Sequence, residues 1–190
     1  IYGETDRVFG TNRISTSVAI ANEFFSETDK IVLASAANYP DVVAHDNQEA
    51  IEVLKLVGVM SGDEKGNFNP EQTVTRNEMA VVMAKLLKLD VDKFDGASKF
   101  VEPSWAMPFV DAVYANGIMT GTTSTTFSPN TYLNRAMVAT VLYRMAGSPT
   151  VTGVSPFADV KNTNDWYYNA VVWAQKNGIV TGTTATTFAP

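Results

Sequence analysis

The sequence predicts an all-α fold of tandem helix-loop-helix repeats, and three observations carry that expectation. A glycine-bounded segment occurs three times, as Gly58-Val59-Met60-Ser61-Gly62, Gly117-Ile118-Met119-Thr120-Gly121 and Gly178-Ile179-Val180-Thr181-Gly182. Each copy is followed at the same offset by an aromatic and a proline: Phe68 with Pro70, Phe127 with Pro129, Phe188 with Pro190. Apolar residues at helical spacing lie on both sides of these loops. Self-similarity at a fixed period marks a repeat architecture, in which a unit too small to bury its own apolar face packs on its neighbours.

The elements follow in order. Ahead of the three loops, Ala50, Ile51 and Leu54, then Phe109, Val110 and Val113, then Ala170, Val171 and Ala174 each make one helix face by their i, i+1, i+4 spacing. Each of these helices stops at Gly58, Gly117 or Gly178, where free access to positive φ closes a C-terminus, and Asn116 and Asn177 strengthen two of the stops. After the loops, Met79, Val82, Met83 and Leu86 predict a second helix in the first copy, and Val138, Val141, Leu142 and Met145 one in the second. Residues 88–99 and 146–156, rich in Asp, Gly, Ser, Pro and Lys, read as linkers. An aromatic-x-acid signal precedes each first helix: Tyr39-Pro40-Asp41, Phe100-Val101-Glu102 and Phe157-Ala158-Asp159. The expected organisation is an N-terminal segment over 1–38, repeats over 39–88 and 99–147, and an incomplete third repeat over 156–190 whose sequence stops at Pro190.

Composition narrows the function. The 190 residues carry 20 Asp and Glu against 14 Lys and Arg, a formal charge of −6, which argues against a general nucleic-acid binder. With 45% hydrophobic residues the chain can bury a core, and with no cysteine it has no disulfide framework, thiolate metal site or thiol chemistry. No apolar run approaches the length of a membrane span, and the start at Ile1 lacks the basic and apolar regions of a signal peptide, so the expectation is a soluble, processed or trimmed chain. There is no G-x-S-x-G, no H-E-x-x-H and no phosphate-binding glycine loop. Asp95 and Glu102 lie near linkers with nothing to set their acidities apart. Asp63 to Phe68 fails as a calcium loop, because Ser61, Lys65 and Gln72 fall where oxygen-rich ligands are required. His45 has no partner at metal-ligand spacing and reads as a cap or surface residue. No catalytic residue, metal site or cofactor is expected.

Aligned in this way, the chain resembles the S-layer homology domain family. The resemblance rests on the aromatic-x-acid starts, Trp105 and Trp166 before two first helices, the three glycine loops, the three Phe-x-Pro signals, and Thr75-Arg76-Asn77-Glu78 at the start of a second helix. It covers residues 39–190. The copies depart from the pattern in places: the second reads Asn134-Arg135-Ala136-Met137, the first has Asp46 where the others have Trp, and the third ends before its Arg motif. The resemblance implies a pseudo-threefold, three-pronged bundle that holds an exported protein to secondary cell-wall polysaccharide, through a pyruvylated amino sugar in grooves between repeats. It places the chain at the bacterial cell wall or surface layer. Residues 7–21 and 32–35 resemble part of a second wall-anchoring family, the cell-wall-binding type 2 repeat. Alternatively, Asn12-Arg13 aligns with Asn134-Arg135 and residues 15–25 stand in for the missing last helix, within the chain or from a neighbour.

The residues at the helix starts suggest the chemistry. Thr75 with Glu78 has the form of a capping box, and Asn134 that of an N-cap. Arg76 and Arg135 place a cation in a first helical turn, where the helix dipole favours an anion. One account is a carboxylate-bearing saccharide held by the guanidinium and by free N–H groups of the helix start. The other is a salt bridge to Glu102, Asp159 or another acid of a neighbouring repeat. Trp105 and Trp166 offer an apolar face to a sugar ring or pack in the core, and Tyr167 and Tyr168 are weaker candidates. Gly121-Thr122 and Gly182-Thr183 supply backbone and hydroxyl hydrogen bonds. The function expected is reversible anchoring to an anionic wall glycan, with a lattice- or filament-forming structural subunit as the alternative and a fragment of a wall hydrolase as a third class.

Overall fold

The computed structural model describes residues 39–102 and 104–190. The expectations for residues 1–38, the partial type 2 repeat and the stand-in helix, lie outside the described residues. The described residues form five α-helices and no strand: α1 (Gln48–Leu56), α2 (Arg76–Leu86), α3 (Met107–Ala115), α4 (Arg135–Met145) and α5 (Tyr168–Lys176). Short 3-10 turns at Pro40–Val42 and Asp92–Phe94 precede α1 and α3. The helices fall where apolar periodicity places them, α1, α3 and α5 as first helices and α2 and α4 as second helices. The first helices close at Gly58, Gly117 and Gly178, with φ of 71°, 70° and 68°. The Asn116 and Asn177 side chains donate back to Ala112 O and Trp173 O, each at 2.8 Å.

The chain divides into two compact units between Gln72 and Thr73, inside the first repeat. In the first, Tyr39, Val42 and Ile51 are buried with Phe68 packed against them. In the second, helices pair across repeats: α2 with α3 and α4 with α5 make its most extensive contacts. Ala80, Met83 and Ala84 of α2 meet Val110 and Val113 of α3 with Ile118, Met119, Phe127 and Val141. Ala136 and Ala139 of α4 meet Ala170, Val171, Val172 and Ala174 of α5 with Phe157 and Phe188. Helix α4 thus contributes to both cores. The buried faces are turned from those read off the sequence: Met79, Val82 and Leu86 pack only partly buried, while Ala80 and Ala84 are almost fully enclosed. Alanine lets two helix axes approach closely, and hydropathy spacing ranks it below Met and Leu.

One three-part device repeats in every copy. The aromatic of the aromatic-x-acid signal packs on the Phe of Phe-x-Pro, with ring centroids 5.4 Å apart for Tyr39–Phe68, 5.4 Å for Phe100–Phe127 and 5.5 Å for Phe157–Phe188. The acid then clasps the backbone. Asp41 accepts from Phe68 N and Asn69 N at 3.0 and 2.6 Å, and Asp159 from Phe188 N and Ala189 N at 2.9 and 2.8 Å. Glu102 accepts from Phe127 N, and from Ser128 N at 3.1 Å. The clasp holds the residue before each proline in the left-handed region, where Asn69, Ser128 and Ala189 all have φ of 58°.

Candidate functional site

The start of α2 is built by its own side chains and by the next repeat. Thr75 Oγ1 accepts from Glu78 N at 3.3 Å, and Glu78 Oε2 accepts from Thr75 N at 2.7 Å, closing a capping box. The next two N–H groups are also satisfied: Arg76 N donates to Thr131 O at 2.9 Å and Asn77 N to Pro129 O at 3.0 Å. The free N–H groups expected to share an anion are therefore already occupied at α2. At α4 the Asn134 side chain accepts from Met137 N at 2.8 Å.

The cation at the helix start has a resolution that neither account anticipated. Arg76 is only 7% exposed. It runs forward to the following repeat, donating from Nε to Phe127 O at 2.7 Å and from Nη2 to Thr120 O at 2.6 Å, with its guanidinium carbon 4.4 Å from the Phe127 ring centroid. Arg135 repeats the arrangement one unit on. Its Nε donates to Phe188 O at 2.9 Å, its Nη2 to Thr181 O, and it lies 4.6 Å from the Phe188 ring centroid. Each of these two guanidiniums thus fastens the residue before the second loop glycine to the Phe-x-Pro turn through carbonyl oxygens. Glu102 and Asp159 are engaged with backbone N–H groups nearby. Carbonyls satisfy the donors without cancelling the charge.

The Arg76 charge faces a groove of about 360 Å³. Its walls are Arg76, Met119, Thr120, Gly121 and Thr122 on one side and Met137, Thr140, Val141 and Arg144 of α4 on the other, with Trp166 completing the lining. The four α4 positions fall at i, i+3, i+4 and i+7, one helix face. Arg144 Nη1 donates to Thr120 Oγ1 at 3.1 Å. Burial and then the Arg144 charge lower the Arg76 pKa, with Glu102 acting the other way; burial alone lowers that of Arg144. A guanidinium so perturbed remains a cation at neutral pH. Among the described residues the groove is therefore lined by two cations, hydroxyl groups, methionines and an indole, and by no carboxylate.

The structure brings Arg76, Gly121, Thr122 and Trp166 together and distributes the other candidates elsewhere. Trp166 is 58% exposed, in edge contact with Tyr167 at 5.1 Å, and Trp105 is 69% exposed, so neither indole packs in a core. Tyr168 is buried, and its hydroxyl accepts from Ser155 N at 3.3 Å. Arg135, Gly182 and Thr183 form the equivalent of the first wall one repeat further on, and among the described residues no second helix follows α5. Gly121 and Gly182 are fixed by lack of space. A Cβ on Gly121 would lie 2.5 Å from Phe100 Cε1 and 2.7 Å from Thr126 O, and one on Gly182 2.8 Å from Phe157 Cε1 and 2.6 Å from Thr187 O. Arg144 was not singled out by sequence. Its signal is its position seven residues after Met137, which matters only once α4 is known to face the groove. His45 is satisfied, accepting from Asn47 N at 3.0 Å and pairing with Glu71 at 3.1 Å. Asp63 accepts from Lys65 N and Asn67 N, each at 2.9 Å, as a turn does. Among the described residues no helix is long and apolar enough to cross a membrane.

Comparison with known proteins agrees with this architecture. The S-layer homology domain matches residues 38–80, 101–137 and 156–190. The surface-layer 125 kDa protein of Lysinibacillus sphaericus is 30% identical over 157 residues, covering 82% of this chain and 13% of the relative. An S-layer protein of Bacillus thuringiensis subsp. finitimus is 33% identical over 165 residues, covering 84% of this chain and 20% of its own length. An exoglucanase of Acetivibrio thermocellus is 28% identical over 165 residues, covering 84% of this chain and 15% of the enzyme. The chain spans a fifth or less of these relatives. With three matched segments that occupy more than half of its length and share one helix-loop-helix design, the chain belongs to the S-layer homology domain family.

Proposed function

We propose that this chain is an anchoring module that holds an exported protein to the bacterial cell wall by reversible binding of an anionic wall polysaccharide. The observation that carries the reading is the groove: two guanidiniums line it, no carboxylate among the described residues does, and Trp166 stands exposed at its wall. Arg144, backed by the nearby Arg76 charge, takes a ligand carboxylate, the indole takes a sugar face, and Thr122 and the Gly121 backbone take hydroxyl groups. The methionines and Val141 suit a methyl group beside that carboxylate, as in the pyruvyl ketal of an amino sugar. Arg135, Gly182, Thr183 and Trp105 are the corresponding groups of neighbouring repeats. The similar stretch occurs in proteins named as surface-layer proteins and in one named as an exoglucanase, which fits a portable anchor that makes and breaks no bond.

The test is co-sedimentation of the chain with purified walls carrying the pyruvylated polymer and with walls stripped of it. Retention only on the first supports the reading, and equal retention on both sinks it. Trp166→Ala should weaken retention without lowering the melting temperature. The S-layer names among the relatives favour a second reading, a lattice subunit that assembles through repeat packing. Concentration-dependent growth in light scattering without any glycan would select it.

A further inference from the structure

The two second helices differ chemically at their third position. In α2 it is Glu78, whose carboxylate accepts from Thr75 N and, at 2.8 Å, from Thr75 Oγ1. In α4 it is Met137, and Asn134 alone caps the helix. An acid is the better residue for a helix start, since it completes the reciprocal cap and complements the dipole. Helix α4 forgoes it. The consequence falls in the groove, because Met137 lines it together with Arg76 and, on its own helix face, Arg144. A carboxylate at 137 would lie in the same groove as both guanidiniums and neutralise part of their field before any ligand arrived.

We infer that Met137 and Arg144 set the charge selectivity of this groove: Arg144 is its accessible cation, and Met137 keeps it free of a rival carboxylate. Arg76 is enclosed and committed to two carbonyls, whereas Arg144 is half-buried and gives one bond to a hydroxyl. Discrimination between an acidic and a neutral sugar therefore depends on Arg144 more than on the buried arginine. This rests on the anion-binding reading above.

The experiment is calorimetric titration of the whole chain with a pyruvyl-ketal N-acetylhexosamine methyl glycoside and with its neutral methyl ester. The wild type should bind the acid about tenfold or more tightly than the ester. Met137→Glu should weaken acid binding by about tenfold or more while leaving the melting temperature unchanged or higher, and Met137→Gln, which loses the apolar contact but adds no charge, should weaken acid and ester to the same smaller extent and keep the preference between them. Arg144→Gln should bind acid and ester alike, and Arg144→Lys, which keeps the charge, should retain the preference. Equal losses for Met137→Glu and Met137→Gln, or an undiminished preference in Arg144→Gln, would overturn the inference and leave the anchoring reading standing. A folded wild type that binds neither compound would overturn both.

Discussion

Gly121 has no room for a side chain. Its missing Cβ is the space into which the Phe100 ring edge and the Thr126 carbonyl fit, so Gly121→Ala must push apart the packed aromatic pair beneath it. The expected cost is about 2–3 kcal/mol in denaturant unfolding, the magnitude of an overpacked core. The opposite sign is expected at Ala189, which the Asp159 clasp holds at a φ of 58° that alanine resists and glycine accepts. Ala189→Gly should stabilise by about 0.5–1 kcal/mol after the entropy glycine adds to the unfolded chain. Sequence reading assigned the first glycine of each loop to the helix stop and, in two copies, the second with its Thr to ligand hydrogen bonds, but gave the second no steric reason. That steric reason is the loop's own carbonyls together with an aromatic about twenty residues upstream.

At the scale of the element, helix starts were the most legible part of the chain, and what they reach for was the least. Thr75 and Glu78 cap α2 through neighbours three residues apart, and local patterns of that kind are visible in any sequence. Arg76 and Arg135 were visible as misfits. Their partners were not, because a carbonyl oxygen is the same in every residue and carries no letter of its own. The aromatic-x-acid signal hid its purpose for the same reason: the carboxylate is written in the sequence, and the N–H groups it clasps are not. The stitch predicts an asymmetry between two equivalent substitutions. Arg76→Ala leaves Phe127 O and Thr120 O without their donor at a buried site and should cost about 2–4 kcal/mol. Arg135→Ala acts at an exposed position and should cost about 1 kcal/mol or less. Thermal melts of the two variants compare them directly. Loss of wall retention in Arg76→Ala would therefore report the fold before it reported the ligand, and Arg144 is the cleaner probe of binding.

Across the whole molecule, the repeat and its five described helices were legible because periodicity and glycine punctuation survive in a single sequence. The groove was legible only in part, as Arg76, Gly121, Thr122 and Trp166, because its other wall depends on which face α4 turns toward it. Acid clasps recur in both units, and they give the molecule a shared pH response. The N–H bonds from Phe188 and Ala189 hold the Asp159 carboxyl below its ordinary pKa. At Asp41, desolvation pushes upward but the bonds from Phe68 and Asn69 outweigh it, so its pKa is lowered too. A depressed carboxylate lends stability that is complete above the ordinary carboxylate range and is lost as pH falls through the lowered value. Melting temperature should accordingly drop steeply on acidification below that range, and Asp159→Asn should start lower at neutral pH and change less with acid.

The guanidiniums of Arg76 and Arg135 each serve the copy that comes next in the chain. That gives the array a direction, like links that each carry a hook at one end and an eye at the other. Duplicating or excising one whole period leaves every hook facing an eye, whereas a cut inside a period strands one of each. Chains of this design can therefore lengthen or shorten by unit steps without reinventing their joints.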